Sequence, residues 1–350
     1  MVVATGSGAW LPPVPGLAEA VPWTNRGGTS ADHAPRRLAI IGGGPVSVEL
    51  ATAWGDLGSE QITLLARGDR LLGGQEPLAG DAVSVGLSAR GVDVRLDTSV
   101  ARVRRPAPGG PVTLTLQDGS EVVADELLVA TGRRPRTRDL GMDTVGLQAG
   151  APLTVDDTGT VLGVPGHWLY AVGDVTGEAE LTHMGKYQAR AVVDTLTARA
   201  AGRTVTDPEP WGRYSTVAER VAVPQVVFSD PEVASVGLTE ARAREAGLRV
   251  QVADAALDGT AGGGALFANT TGGKARLVLD ADRQIIVGAT FVGPDVVDLL
   301  HAATVAVVGE VPVARLWHAV PTFPTVPEVW LDLLTALGRD SAALPSEVAA

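Results

Sequence analysis

The sequence contains no cysteine, which excludes a disulfide, a thiolate metal site, a nucleophilic cysteine and a redox dithiol within this chain. Apolar runs fall short of the roughly 18 to 20 residues that a membrane helix needs. The first residues lack the basic and apolar regions of a secretory signal. Acidic residues outnumber basic ones by 40 to 28, and the net charge of −12 argues against a general nucleic-acid binder.

Two catalytic signatures are also absent. The five histidines occur in no HxxxH or HExxH spacing, so the sequence gives a metal site little support. No GxSxG motif marks an acyl-transfer nucleophile. We therefore expect a cytoplasmic protein with no metal, no membrane partner and no nucleic-acid partner.

Length and composition describe a folded chain with more than one domain. The 350 residues correspond to two or three domains at about 150 residues each. Hydrophobic residues make up 45% and charged residues 19%, which excludes a mostly disordered protein. The string VATG closes an apolar run at residues 3–6 and again at 129–132. This echo suggests two related nucleotide-binding folds.

A glycine-rich turn lies between two apolar runs, residues 38–41 and 62–65, that are typical of parallel strands. The turn reads GGGPVS and fits G-x-G-x-x-G with Ser47 at the third glycine position. Gly42 permits the tight turn, and Gly44 lets the backbone approach a pyrophosphate at the N-terminus of a helix that begins near Pro45. The pattern predicts a Rossmann-like nucleotide-binding domain, with an ordinary glycine-rich turn as the alternative.

The end of the second strand indicates which nucleotide binds. An acidic residue there would accept a hydrogen bond from the 2′-hydroxyl of an NAD ribose, but Ala66 occupies the position and Arg67 follows it. A guanidinium suits a 2′-phosphate better. We therefore favour NADP over NAD, with Arg70 as an assisting cation; the alternative is that both arginines are solvated turn residues.

The pattern changes further along the chain. Residues 112–116 alternate with period two before an Asp-Gly pair at 118–119, which predicts a hairpin. A later strand ends in Gly173 and Asp174, which alone indicate only a turn. Beyond about residue 216, strands and helices are grouped and do not alternate, so we expect a separate α+β domain.

Six segments in a fixed order give the chain a family resemblance. They read VVATGS, IIGGGPVSVELA, LLVATGRRP, LYAVGDVTG with LTHMGKYQAR, SDPEVASVGLTEARARE, and FPTVPEVW. From residue 1 to about 337 the chain resembles the pyridine nucleotide–disulfide oxidoreductases, flavoproteins that include dihydrolipoamide dehydrogenase and mercuric reductase.

The resemblance implies an α/β fold in which a Rossmann-like NAD(P)-binding domain is inserted in an incomplete FAD-binding domain. An α+β dimerisation domain follows. The implied segments are 1–34 and 135–205 for the FAD-binding domain, 35–134 for the NAD(P)-binding domain, 216–337 for the dimerisation domain and 338–350 for a tail. A homodimer is implied as well, with Trp317, Phe323, Trp330 and Leu333 as candidate interface residues; the alternative is that these residues form the domain's own core.

Cofactor-binding residues also follow from the resemblance. For the nicotinamide nucleotide they are Gly42, Gly44 and Ser47 at the pyrophosphate, Glu49 near the nicotinamide, Arg67 as in NADPH-dependent members, and Gly132 in the same cleft. For FAD they are Thr5, Gly6, Gly173, Asp174 and Thr182.

Two departures from the family pattern concern catalysis. The family's GxGxxG turn for FAD and its Cys-x4-Cys dithiol both precede the region matched here, so we expect an N-terminally truncated chain with an incomplete FAD site. The C-terminal His-Pro-Thr-x-x-Glu motif aligns with residues 323–328, where Phe323 replaces the proton-shuttling histidine. Glu328 is the catalytic candidate that remains, and the usual dithiol–histidine mechanism is not expected.

Three functional hypotheses stay open. The first is an FAD-dependent oxidoreductase that passes hydride from NAD(P)H to flavin and then to an unknown acceptor. The second is a non-catalytic module that binds NAD(P) and dimerises, and the third is a truncated pseudo-enzyme. In each, we expect the chain itself to bind FAD weakly, because it lacks the phosphate-binding turn for that cofactor.

Overall fold

The computed structural model describes residues 1–205, 208–267 and 272–338. The chain divides into two compact units. Unit 1 consists of Met1–Trp10 and Arg133–Val223, and unit 2 of Leu11–Gly132 and the chain from Pro224 onward. The tail expected at 338–350 lies, apart from Gly338, outside the described residues.

The described residues contain the following regular elements. The strands are β1 (Val2–Val3), β2 (Ser7–Ala9), β3 (Arg37–Ile41), β4 (Gln61–Leu65), β5 (Asp93–Arg95), β6 (Val100–Arg104), β7 (Val112–Leu116), β8 (Glu121–Ala124), β9 (Glu126–Val129), β10 (Arg133–Pro135), β11 (Tyr170–Ala171), β12 (Pro224–Val227), β13 (Glu232–Gly237), β14 (Val250–Ala256), β15 (Lys274–Asp280) and β16 (Ile285–Gly293). The α-helices are α1 (Asn25–Ser30), α2 (Pro45–Asp56), α3 (Pro77–Ala89), α4 (Thr182–Ala200), α5 (Ala218–Val221), α6 (Glu240–Glu245), α7 (Ala261–Phe267), α8 (Val297–Val308), α9 (Val313–Leu316) and α10 (Val329–Leu337). Short 3-10 helices cover Met142–Val145, Gly173–Thr176, Leu257–Gly259 and Val326–Glu328.

Unit 2 contains a parallel sheet of four strands in the order β5-β4-β3-β9. Helix α2 joins β3 to β4 and α3 joins β4 to β5, so two βαβ crossovers follow each other. Alternate strand residues face opposite sides: Ile40 and Leu64 share a core with α2 and α3, whereas Ile41 and Leu65 belong to a core on the other face. Burial of both faces explains the short apolar strands and confirms the predicted Rossmann-like α/β arrangement.

An antiparallel meander, β6-β7-β8, supplies that second core. Val103 and Leu114 from the meander pack with Ile41 and Leu65 from the parallel sheet. The hairpin predicted around residues 118–119 is the β7–β8 connection, where Gly119 has φ +85°. The period-two alternation of β7 is therefore the pattern of a strand with one face on this core.

The C-terminal part of unit 2 is an antiparallel sheet of five strands in the order β12-β13-β16-β15-β14. Helices α8 and α10 bury apolar residues such as Ala303 and Leu333. This grouping of strands and helices confirms the predicted α+β domain. Val233 and Val292 from the sheet also join the core formed by α2 and α3, so this domain packs directly against the parallel sheet's helices.

Unit 1 has less regular structure. Strand β1 pairs in parallel with β11, and β2 pairs antiparallel with β10. Val3, Val161, Ala171 and Val175 lie in its apolar core. The longest helix of the unit is α4, and no helix in the described ranges is long and apolar enough to cross a lipid bilayer.

Residues 11–34 pack within unit 2, which differs from the expected boundary after residue 34. Leu17 is fully buried in the core under the meander. Trp23 extends the parallel sheet, because its N–H donates to the Leu127 carbonyl at 2.8 Å and its carbonyl accepts from the Val129 N–H at 2.8 Å. The segment is thus held by the parallel sheet, and the assignment of the segments to individual cofactors stays a prediction.

Candidate nucleotide-binding site

The carboxyl edge of the parallel sheet brings three chain segments together. Ile41 at the end of β3 is paired with Leu65 of β4 on one side and with Val129 of β9 on the other. The chain runs from β3 toward β4 and β5 on one side, while β9 enters on the other, so β3 and β9 flank the topological switch point. Ligands of open α/β sheets bind outside the strand ends at such a point. The glycine-rich turn directly follows β3 there.

The backbone of this turn requires glycine at one position and leaves another open. Gly42 has φ +135°, and a Cβ built on it would lie 2.3 Å from the Ala130 carbonyl oxygen. Gly44 precedes α2 as its N-cap residue, with Pro45 at the first helical position. No atom lies within 4 Å of a Cβ built on Gly44. The helix N-terminus is therefore accessible at its backbone, which suits a phosphate group.

Ser47 stabilises the turn through hydrogen bonds to two backbone carbonyls. The residue is fully buried, its N–H donates to the Gly44 carbonyl at 3.1 Å, and its hydroxyl donates to the Ala130 carbonyl at 3.5 Å. Serine is thus accommodated at the third glycine position because its hydroxyl has a backbone acceptor. Any contribution of Ser47 to nucleotide binding is made through the shape of the turn.

The loop after β4 is fixed at the backbone next to the turn. Ala66 is 1% exposed, its N–H donates to the Arg95 carbonyl at 2.9 Å, and its own carbonyl accepts from the Thr98 N–H at 2.9 Å. Further along, the Leu72 N–H donates to the Gly43 carbonyl at 2.8 Å. The loop therefore lies against the glycine-rich turn.

The two arginines of this loop differ in their partners. Arg67 is exposed, and within the described residues its guanidinium has no hydrogen bond or ion pair. Arg70 instead places Nε 3.4 Å from Oδ1 of Asp81 on α3. The structure therefore offers Arg67 as an available cation beside the turn and shows Arg70 engaged elsewhere.

Glu49 and Gly132 complete the set expected for the nicotinamide nucleotide. Glu49 lies on α2, where its Oε1 accepts a hydrogen bond from the Phe228 N–H at 3.0 Å. Burial raises the pKa of Glu49, and the Phe228 N–H acts against this rise. Gly132 follows β9 with φ +123° and has no atom within 4 Å of a built Cβ. Gly132 leaves open space near the switch point, whereas Glu49 is tied to the segment after β12.

A separate polar cluster in unit 1 surrounds Asp174. The Ser7 hydroxyl donates to Asp174 Oδ2 at 2.6 Å, and Arg133 Nε donates to the same hydroxyl at 2.6 Å. Arg133 Nε also lies 3.7 Å from Asp174 Oδ2 and 3.8 Å from Glu180 Oε2. Burial and the charge of Asp174 raise the pKa of Glu180, while Arg133 lowers it. Sequence reasoning missed Ser7, Arg133 and Glu180, although Ser7 and Arg133 directly follow the two VATG strings.

The other expected flavin residues occupy the same unit. Gly6 has φ +67° and no atom within 4 Å of a built Cβ, and the Thr5 hydroxyl donates to the Arg136 carbonyl at 2.8 Å. The Gly173 N–H donates to Oε1 of the buried Gln188 on α4. Thr182 is the exposed first residue of α4. Among the five residues expected to bind FAD, Asp174 is the one that lies in a cluster of polar side chains.

The comparisons with known proteins agree on one family. The family model described as "Pyridine nucleotide-disulphide oxidoreductase" matches residues 1–189, and that of the family's dimerisation domain matches residues 223–333. The chain belongs to the pyridine nucleotide-disulphide oxidoreductases. Members of this family are oxidoreductases that use FAD together with a pyridine nucleotide.

Individual relatives cover most of this chain. It is 31% identical to a mercuric reductase of Shigella flexneri over 90% of its length and 52% of that protein's. It is 28% identical to a dihydrolipoyl dehydrogenase of Bacillus subtilis, covering 95% of this chain and 67% of that one. The solved structure of the HOCl-induced flavoprotein disulfide reductase RclA from Escherichia coli superposes with a TM-score of 0.79 at 26% identity, over 95% of this chain and 72% of RclA. The chain thus spans about half the length of the mercuric reductase that it matches.

Glu328, the catalytic candidate, has a structural role within its own segment. Its Oε2 accepts from the Thr325 N–H at 3.2 Å, and Thr325 and Glu328 form a capping box at the 3-10 helix that leads into α10. The T-x-x-E spacing is a sequence signature of this motif, so the signal was present in the sequence. Phe323, at the family's histidine position, is 77% exposed and has no group that can transfer a proton.

Proposed function

We propose that this chain binds a nicotinamide nucleotide at the turn Gly42–Gly44, prefers NADPH to NADH, and acts in hydride transfer to a flavin. The observation that carries the proposal is the open backbone of Gly44 at the N-terminus of α2, with the unpaired Arg67 on the neighbouring loop. A pyrophosphate fits the first feature and a 2′-phosphate fits the second.

The nucleotide preference rests on Ala66 and Arg67. An acidic residue at position 66 would accept from a 2′-hydroxyl and repel a 2′-phosphate, and alanine does neither. One charged contact and one removed repulsion together correspond to about 2 kcal/mol, or roughly thirtyfold in affinity. Two features oppose this preference: the family resemblance places a second arginine near Gly73, which has no side chain to serve, and the net charge is −12.

The surroundings of Asp174 fit one part of a flavin. Ser7 and Arg133 hold Oδ2 of the carboxylate in place, so Asp174 is oriented to accept a hydrogen bond from a hydroxyl of a ribityl chain. When bound, FAD would supply the acceptor for a hydride. The described residues of unit 1 contain no G-x-G-x-x-G turn leading from a strand into a helix. We therefore propose that this chain alone binds FAD weakly.

The electron acceptor is proposed to be reduced without the usual dithiol–histidine relay. The sequence has no cysteine, and Phe323 cannot carry a proton. The second candidate function is a non-catalytic, NAD(P)-binding module, which is favoured by the use of Glu328 as a capping residue.

We also propose a homodimer in the cytoplasm. The dimerisation-domain match at residues 223–333 supports the association. Two of the candidate interface residues contribute to the domain's own core. Leu333 is fully buried, and the ring centroids of Trp330 and Phe291 lie 6.2 Å apart. Phe323 and Val320, at 77% and 75% exposure, remain available to a second subunit. Light scattering at micromolar protein concentration should give a molar mass twice that of the chain. A molar mass equal to that of one chain would contradict this proposal.

Calorimetry with NADPH and NADH, together with an absorbance spectrum, tests the proposed function. We expect NADPH to bind more tightly than NADH, and Arg67→Ala to weaken NADPH about tenfold. Arg104→Ala, which removes an exposed arginine from the meander of the same unit, should leave both affinities unchanged. The purified chain should lack flavin absorbance at stoichiometric level. Equal affinities for the two nucleotides would contradict the proposed preference.

A further inference from the structure

The loop of residues 66–72 holds its backbone against the glycine-rich turn, so the partners of its arginines decide what charge it offers a ligand. Leu71 and Leu72 are buried, and the Leu72 N–H is bonded to the Gly43 carbonyl. Arg70 stands between this anchor and Arg67. Its carbonyl oxygen is 3.8 Å from a Cβ built on Gly43, so Arg70 begins next to the turn.

The side chain of Arg70 packs against helix α3. A Cβ built on Gly80 would lie 2.6 Å from Arg70 Cγ and 2.9 Å from Cδ. The stem of the arginine therefore rests on α3 at a position that has no side chain. At the next residue, Asp81 Oδ1 lies 3.4 Å from Arg70 Nε. Gly80 thus provides the space and Asp81 the charge that keep Arg70 on the helix.

We propose that Asp81 is a specificity-determining residue of the nucleotide site, because it holds Arg70 on α3 and so limits the selectivity for a 2′-phosphate. The Arg70–Asp81 pair carries no net charge, which leaves Arg67 as the unpaired cation among the described residues of the loop. The loop also contains Asp69, which offsets the charge of Arg67. With the Arg70–Asp81 pair counted as neutral, an unpaired Arg70 would therefore change the net charge of residues 66–72 from zero to +1. The inference rests on the proposed function, since it concerns the same site.

The test is Asp81→Asn, which keeps the size of the side chain and removes its charge. We expect the dissociation constant for NADPH to fall about three- to fivefold and that for NADH to stay within about twofold. Both are measured by calorimetry on the full chain. In the native background, Arg70→Ala should change NADPH affinity by less than about twofold, because Asp81 already engages this arginine.

Two controls separate this inference from simpler effects. Asp81→Asn combined with Arg70→Ala should lose the gain; a gain that persists would show that the aspartate acts only by repelling phosphate, and would overturn the inference. Asp282→Asn breaks another exposed pair, in which Oδ1 lies 2.7 Å from Arg249 Nε, and should leave both affinities unchanged.

Other outcomes are also decisive. An unchanged NADPH affinity in Asp81→Asn, or an equal gain for both nucleotides, would overturn the role of Asp81 while leaving the proposed function intact. A marked loss of NADPH affinity in Arg70→Ala alone would do the same. A native chain that binds neither nucleotide would overturn the proposed function and this inference together.

Discussion

Replacing Glu219 by glutamine should make unit 1 more stable at alkaline pH. Glu219 lies on α5 with 8% of its surface exposed, and its Oε1 has no hydrogen-bond partner among the described residues. The neighbouring cation, Arg220, contacts both carboxylate oxygens of Asp157 at 2.5 and 2.8 Å. The positive charge next to Glu219 is therefore already shared with another carboxylate.

Burial accordingly raises the pKa of Glu219 from 4.5 to about 7. The nearby polar side chains of Gln188 and Thr216 lower the pKa and so act against the rise, whereas the charge of Glu178 adds to it. The folded state binds this proton more tightly than the unfolded state. The stabilisation is thus fully present below pH 4.5 and is lost as the pH rises through about 7.

The size of the effect follows from the shift. A rise from 4.5 to about 7 corresponds to about 3 kcal/mol of stability between its two limits, at 1.36 kcal/mol per pKa unit. Between pH 5 and pH 8, most of that amount, about 2 to 3 kcal/mol, should be lost. Glutamine cannot ionise, so Glu219→Gln should lack this loss and gain stability over the native chain as the pH rises.

Urea unfolding at pH 5 and pH 8, followed by tryptophan fluorescence, measures the difference. Glu209→Gln, which changes an exposed carboxyl of the same unit, is the matched control and should show an equal effect at both pH values. A Glu219→Gln stability difference that stays constant between pH 5 and pH 8 would refute the reasoning. Such a result would mean that the carboxyl is hydrated or paired in the folded protein.

Three further substitutions test other parts of the structure. Gly42→Ala should abolish measurable nucleotide binding by calorimetry, because its Cβ would lie 2.3 Å from a backbone oxygen at a φ of +135°; native-like affinity would contradict the turn geometry. Glu328→Ala should cost about 1 kcal/mol in urea unfolding through loss of the capping box and leave nucleotide affinity unchanged, whereas a large effect on affinity would restore a functional role. Arg276→Met should cost about 3 to 5 kcal/mol, because Glu76, 1% exposed and 3.3 Å from the guanidinium, would lose its ion-pair partner and keep only the hydrogen bond from the Glu240 N–H; a near-neutral unfolding result would show that this carboxyl does not need the arginine.

Local patterns were sufficient to predict the elements around the glycine-rich turn. The apolar run at residues 38–41 lies in β3, and the helix expected to begin near Pro45 is α2. The hairpin near residue 118 also formed as predicted. Each of these rests on interactions over a few residues, such as side-chain alternation or the φ of a turn glycine. These local interactions can therefore be inferred from a short stretch of consecutive residues.

Contacts between distant segments could not be predicted in the same way. Glu49 accepts from the Phe228 N–H across 179 positions, and Ser7 donates to Asp174 across 167. No spacing rule links residues so far apart in the chain, because only the tertiary packing within each unit brings them together. The placement of residues 11–34 in unit 2 has the same origin, since it depends on burial of Leu17 under the meander.

The sequence by itself determined the α/β class, the glycine-rich turn after β3 and the order of the family's motifs, since residue type and short spacing carry all three. Only the tertiary structure decided which charges remain available. Arg67 and Arg70 are both candidate cations in the sequence, yet Arg70 lies against Asp81 while Arg67 stays unpaired within the described residues. That difference depends on the close approach of the loop to Gly80, a packing detail that neither arginine's neighbours in the chain contain.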